Sequence, residues 1–414
     1  MIFIWRRENT KKTLAPLPLQ ERVAVIDVLR GVALFGIIVA NILWFLYPVY
    51  LQKDPSFKNE WTAFWHSSDY ALQTLIAMFI DGKFIMLFSM LFGFGMVIMQ
   101  ERTVDKGLNF WVMYSRRLLA LLIFGLVHAY VIWFGDILTD YAILGLLLLM
   151  MHRFRPRAML LISGIVYGLY FLMTVAGAFM LDGYEGEQLT ETERQAIQST
   201  ISAHQEGTLQ ELLQANVAER SFYTMRNGME MLVNGNPFVY LFTALPYMMM
   251  FLFGAYVAKR KWVQQFQEHR KGFLIVWLLC LLSGGFFSWG LPFLMSNPMG
   301  EKLIQYVSSP LLTVFYAVTI LFLYDRAKGR ALLHWLSFPG RMALTNYIMQ
   351  SVICTFLFGP FGFGVYGKLH LTAAVAIAIA VFILQVLVSR WWLSRFRYGP
   401  LERVWRSITY WRLV

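Results

Sequence analysis

The chain has 414 residues, 58% of them hydrophobic and only 14% charged, with a mean hydropathy of +0.54. A soluble domain needs about a quarter charged residues to cover its surface, so this composition excludes one and makes lipid the solvent for most of the chain. The formal charge of +12 does not point to nucleic acid, because the basic residues stand between apolar runs rather than in a stripe on a polar domain.

The basic residues read instead as topology signals, with anionic lipid as a secondary contact. Residues 1–22 are basic and carry Pro16 and Pro18. The apolar run that follows has no small-residue cleavage site, so it is expected to stay as a transmembrane helix behind a cytoplasmic N-terminal segment. Runs long enough for a hydrocarbon core of about 30 Å fall at 24–46, 70–100, 117–134, 136–151, 158–181, 238–258, 272–294, 303–324, 341–358 and 371–392. The second is too long for one straight span, and Asp81-Gly82-Lys83 marks a break in it.

The expectation is an all-α, polytopic integral membrane protein: a single transmembrane domain over 1–414 with about ten transmembrane helices. Assigning loops alternately to the two sides gathers Arg6, Arg7, Arg116, Arg117, Arg153, Lys259, Arg326 and the arginines after Arg390 on one side. By the positive-inside rule that side is the cytoplasm of a bacterial inner membrane, with both termini and a basic, aromatic tail at 393–414. The other side then receives the loop 47–69, the turn Gly135-Asp136, the insertion 182–236 and the glycine-rich loop 359–370, which is too flexible for a span and reads as a re-entrant or mobile outer element. In the insertion, Thr190 with Glu193 reads as a capping box, and Ile197, Ile201, Leu209, Leu212 and Leu213 recur at helical spacing. One or two amphipathic helices over the outer mouth are expected there, with their acidic residues on a solvated face.

An ionisable side chain inside a span costs at least about 2.5 kcal/mol, so each needs a partner or a wet cavity. Asp27, Arg30 and Asn41 fall on one arc of the first helix; Asp27 and Arg30 read either as an anchoring pair or as part of a site. Arg117 and His128 share a face about 16 Å apart along the axis. A neutral histidine at that depth can serve as a general base or can simply bond a neighbouring helix. Asp136, a helix cap or the orienter of His128, follows a short turn that returns the chain to the same level, and Asp140 stands one turn on. Asp81 and Lys83 lie at a similar depth, where they are expected to complete an outer polar cavity with Asn41, His128 and Asp136. Arg30, Arg116, Arg117 and Arg341 line the opposite mouth as topology anchors or as phosphate ligands. Pro339-Gly340-Arg341 reads as a helix start, and Thr345, Asn346, Gln350 and Ser351 behind it read as helix-to-helix glue. No P-loop, HExxH, GxSxG or paired Cys/His spacing is present, and no metal is expected.

Several stretches resemble the YeiB-like bacterial membrane proteins, a family of unknown function. They are Ile26-Asp27-Val28-Leu29-Arg30-Gly31 with Asn41, Gly82-Lys83-Phe84, Gly125-Leu126-Val127-His128-Ala129, Trp133-Phe134-Gly135-Asp136, Gly340-Arg341-Met342-Ala343-Leu344-Thr345-Asn346-Tyr347 and Arg397-Tyr398-Gly399-Pro400-Leu401-Glu402. The opening pattern is also distantly similar to heparan-alpha-glucosaminide N-acetyltransferase and other transmembrane acyltransferases. That likeness implies a cytosolic acyl-CoA donating through the membrane to an outer hydroxyl or amine, with a histidine in the site.

The resemblance points to His66, between the first two helices, whereas depth and neighbours favour His128. The reading is therefore an acyltransferase with His128, Asp136, Asn41, Lys83 and His66 as catalytic candidates and Arg30, Arg116, Arg117 and Arg341 for the acyl-CoA. Asp27, Asp81, Asp140 and Asn346 are accessory polar residues. The alternative is a transporter or flippase in which the same charges bind a solute or relay protons, and a third reading is a non-catalytic partner docking through 182–236. The expected partners are the bilayer and the small-molecule donor and acceptor, not nucleic acid, and a homodimer stays open.

Overall fold

The computed structural model describes residues 24–49, 59, 62–180, 191–226, 237–290 and 298–411. Among these the chain forms helices α1 (Ala24–Leu46), α2 (Ser67–Phe79), α3 (Lys83–Asp105), α4 (Phe110–Val127), α5 (Leu138–Met150), α6 (Pro156–Met180), α7 (Glu191–Glu206), α8 (Leu209–Arg226) and α9 (Pro237–Lys259). They continue as α10 (Arg270–Gly285), α11 (Pro298–Asp325), α12 (Ala327–Arg341), α13 (Ala343–Phe358), α14 (Leu371–Arg395) and α15 (Pro400–Tyr410). Two widened π-helical turns, His128–Ile132 and Phe286–Gly290, extend α4 and α10. Seven candidate spans are long and apolar enough to cross a membrane, α2 and α3 together forming one of them, and three shorter apolar helices lie among them. The first observed helix has the bounds expected from sequence.

Packing inside lipid gains nothing from hiding apolar side chains from water, so helices approach through small residues and close backbone contact. Gly31 of α1 lies against the Leu336 carbonyl of α12, and Gly340 of α12 lies against the Asp27 carbonyl of α1. A similar reciprocal pair joins α3 to α9, with Gly93 on the Phe251 carbonyl and Gly254 on that of Met90. A β-carbon at any of these four positions would overlap a backbone oxygen.

The expected break after α2 is present, and Gly82 turns it with φ of 77°. Irregular backbone at membrane depth survives only where protein satisfies its carbonyls. Here Lys83 Nζ donates to the Ala77 carbonyl at 2.7 Å, Ser288 Oγ to Met78 at 3.0 Å, Tyr316 Oη to Phe79 at 2.9 Å and Ser309 Oγ to Asp81 at 3.4 Å. Replacing Gly82 with alanine should cost about 1 kcal/mol, because an L side chain is strained in the left-handed region. A lower melting temperature in detergent, with the same oligomeric profile, is the expected readout.

Two helices stand where loops were expected. Residues 327–341 are too polar to read as a span, and Pro339-Gly340-Arg341 closes α12 instead of opening the next helix; α13 begins at Ala343. Packing of α12 on the α1 glycine is a tertiary effect that hydropathy cannot register. The basic, aromatic tail contains α15, with Pro400 at its first turn, where a missing N–H is harmless. Glu402 of α15 accepts from the Leu344 and Thr345 amides at 2.7 and 3.0 Å and from Thr345 Oγ1 at 2.6 Å, so it caps α13 from a separate helix. Burial pushes its carboxyl up from the ordinary value, and the Thr345 and Leu344 hydrogen bonds pull the other way.

The glycine-rich loop 359–370 is tied down: Gly367 N–H donates to the Leu46 carbonyl at 2.7 Å and Tyr47 Oη to that of Leu369 at 2.6 Å. Thr190, the expected cap of the insertion, lies outside the described residues, as do 1–23 and 227–236.

Candidate functional site

The helix that carries Arg117 runs toward the end of the bundle where the polar loops gather. At His128 it widens into the π-helical turn, a distortion that recurs at functional sites, and the chain then reverses through Trp133–Ile137 into α5. Gly125 makes the reversal compact, since the start of α5 at Thr139 sits where its β-carbon would be. Asp136 caps α5, with Oδ1 accepting from Leu138 N–H at 3.1 Å and Oδ2 from Thr139 N–H at 2.8 Å.

The same carboxylate holds His128 Nδ1 at 2.9 Å from Oδ1, and on the far side of the ring Nε2 stands 2.8 Å from Ser351 Oγ of α13. A carboxylate can only accept, so Nδ1 carries a proton, and in the neutral ring Nε2 then accepts from the Ser351 hydroxyl. Relative exposure is 0% for His128 and 2% for both Asp136 and Ser351. The order aspartate, imidazole, hydroxyl matches the arrangement of serine, histidine and aspartate triads, which are recognised by geometry and not by sequence order.

Around this chain of bonds lie donors the fold leaves unspent. The Trp133 indole N–H is buried without a hydrogen-bond partner, and its ring centroid is 6.3 Å from that of His128. Phe45 packs on Trp133 at 4.2 Å, and Asn41 lies one turn before Phe45 on the same face of α1. Tyr347, one turn before Ser351, places its ring 5.1 Å from the imidazole. The roof is α8: Asn216 Nδ2 donates to the Ala129 carbonyl at 3.4 Å, and Arg220 Nη1 donates to the Phe134 and Asp136 carbonyls at 2.9 and 3.2 Å. Beside it Glu219, fully buried, accepts from His204 Nε2 at 2.7 Å, so not every acidic group of the insertion lies on a solvated face.

The structure distributes the other candidates. Lys83 and Asp81 belong to the α2 break and have no hydrogen bond to the His128 group. His66 stands apart, stacked on His370 at 4.5 Å. Asp140 is half-buried on α5, near Tyr141. Asn346 binds Ser389 Oγ at 2.9 Å and the Pro339 carbonyl at 3.2 Å, which makes it helix glue.

At the opposite end Arg30 pairs with Asp27 at 3.0 Å, and its Nη2 lies 3.7 Å from where a Gly95 β-carbon would be. Arg341 follows the Gly340 contact with Asp27, while Arg117 lies 3.5 Å over the Trp405 ring and within electrostatic reach of Arg30 and Arg406. Arg116 is turned to Trp411, 5.0 Å from the ring centroid. Arg30, Arg117 and Arg341 thus share one mouth with α15. The sequence offered Ser351 only as helix-to-helix glue and gave no role to Trp133 or Arg220, which the structure places beside the His128 group.

A helical bundle with this many apolar spans around buried polar groups defines a polytopic membrane protein. A family described as "Protein of unknown function (DUF418)" matches residues 257–412. The chain is 39% identical over 405 residues to the uncharacterized protein YxaH of Bacillus subtilis (strain 168), covering 96% of each. It is 28% identical over 416 residues to the uncharacterized protein YeiB of Escherichia coli (strain K12), covering 94% of this chain and 96% of the relative. The chain therefore belongs to the YeiB-like family. No solved structure matches it.

Proposed function

We propose that this protein is a transmembrane acyltransferase of the bacterial inner membrane that uses Ser351, His128 and Asp136 as a nucleophilic triad. The observation that carries the reading is the unbroken chain from Asp136 Oδ1 through His128 to Ser351 Oγ. His128 Nε2 takes the Ser351 proton as Oγ attacks the thioester carbonyl of an acyl-CoA. The carbon–sulfur bond breaks, and the same proton passes from His128 to the departing thiolate. An acceptor hydroxyl or amine then attacks the ester carbonyl as His128 takes its proton, the bond to Ser351 Oγ breaks, and His128 returns the proton to Oγ as the acylated acceptor leaves. Trp133 Nε1 and the Asn41 amide are the donors available for the oxyanion.

The arginines Arg30, Arg117 and Arg341 suit the phosphates of the donor, and the helix from Arg117 to His128 spans about 16 Å, which a pantetheine arm can reach across. Because the basic mouth faces the cytoplasm in this reading, the donor enters there and the acceptor arrives beneath the α8 roof. The competing reading, a transporter, uses the His128 and Asp136 pair as a proton relay and gives the Ser351 hydroxyl no role.

Thermal-shift titration of the detergent-purified protein with acetyl-CoA and longer acyl-CoAs tests the donor site. Saturable stabilisation is expected for wild type and for Ser351→Ala, with an apparent affinity about tenfold weaker in Arg117→Ala. Absence of stabilisation by any acyl-CoA in a folded preparation would leave the transporter as the better account.

A further inference from the structure

At the loop-rich end, away from the triad, the first turn of α2 meets the first turn of α14. His66 precedes α2, Asp69 lies in its first turn and His370 precedes α14, and one ligand atom from each of the three falls within 4.8 Å of the others. From this juxtaposition we propose that His66, Asp69 and His370 bind a divalent zinc ion, with a fourth coordination position open to solvent.

The carboxylate is held ready for this. Asp69 is fully buried; Oδ1 accepts the Thr372 amide and Oδ2 the His66 amide, each at 2.9 Å, so backbone donors fix its orientation as outer-shell partners do at metal centres. Oδ2 also stands 2.9 Å from His370 Nδ1. Nitrogen and oxygen ligands of a tetrahedral zinc, with bonds of about 2.0–2.1 Å, lie roughly 3.3 Å apart, so a zinc ion replaces the proton shared by Asp69 and His370 with a shift of a few tenths of an ångström, and rotation of the exposed His66 ring closes the remaining separation, at most 4.8 Å. The floor beneath is rigid: Trp65 Nε1 donates to Tyr47 Oη at 2.7 Å, and Tyr47 Oη donates to the Leu369 carbonyl.

Helix capping explains Asp69, and the Asp69 carboxylate explains Nδ1 of His370. His66 is itself the N-cap of α2, and capping does not require its imidazole to stack, exposed, on a second imidazole with the rings 23° from parallel. Two imidazoles and one carboxylate are the donor set of zinc sites that keep a water ligand. Because His370 lies about 300 residues after His66, no spacing motif marks the site in the sequence. The inference departs from the expectation of no metal, and it assigns to His66 a role distinct from acyl transfer.

The test uses the full chain in detergent with a tag that contains no histidine, stripped with EDTA and titrated with ZnCl2 by calorimetry, with elemental analysis for stoichiometry. One equivalent of zinc is expected, together with a rise in melting temperature that EDTA reverses. His66→Ala should weaken binding by about 10- to 100-fold, whereas His334→Ala should bind as wild type does. Cobalt substitution gives a second reading that needs no variant, an intense visible absorption of four- or five-coordinate metal. Failure to bind zinc, unchanged affinity in His66→Ala, or a weak octahedral cobalt spectrum would each overturn the proposal, and none of them bears on the triad.

Discussion

Ser351→Ala should give a folded protein whose acyl transfer falls by about six orders of magnitude, roughly the loss seen when the nucleophile of a triad is removed. The readout is coenzyme A release from acetyl-CoA, scored with a thiol reagent. Asp136→Asn should lose about 10²–10⁴-fold and also lower the melting temperature, because asparagine has a single acceptor oxygen for the Leu138 and Thr139 amides and no longer fixes the proton on His128 Nδ1. In wild type, rapid acid quenching should leave an acetyl group on the peptide that contains Ser351, and His128→Ala should abolish it. A Ser351→Ala protein as active as wild type, beside an inactive His128→Ala, would remove the covalent step and leave His128 acting directly on the acceptor.

The second large effect concerns architecture. Gly31→Val and Gly340→Val should each abolish the folded protein, since the new β-carbon alone would overlap the Leu336 carbonyl oxygen of α12 or the Asp27 carbonyl oxygen of α1. Overpacking a core side chain costs about 1–3 kcal/mol, and backbone on the other side of the contact cannot yield by changing rotamer. Size-exclusion profiles of a fluorescent fusion should show aggregate in place of the single peak. Gly164→Val on α6, where a β-carbon meets open space, is the matched control and should keep that peak.

What the sequence made legible follows from the range of each signal. Hydropathy is local, and it placed α1 at its observed bounds and marked the break at Gly82. The short reversal from His128 to Asp136 is local too, which is why their juxtaposition was expected from the turn alone. Ser351 is 223 residues from His128, and nothing in a polar run on α13 says which neighbour its hydroxyl will meet. Lys83 was expected beside His128 from its depth, and the structure shows its ammonium donating to the Ala77 carbonyl of the broken helix, a contact that hydropathy does not encode. The helices α12 and α15 escaped hydropathy because their apolar faces are narrow and gain their meaning only from the partners they cover.

The cap that Glu402 places on α13 sets an order of events during synthesis. Until residue 402 leaves the ribosome, the Leu344 and Thr345 amides at the start of α13 have no carboxylate to receive them, and Trp405 cannot donate to the Arg117 carbonyl at 2.8 Å. Helices inserted early, α4 among them, therefore wait for a late segment before their basic ends are closed. A ribosome that stalls before α15 leaves a chain whose basic end lacks both the Glu402 cap on α13 and the Trp405 bond to α4.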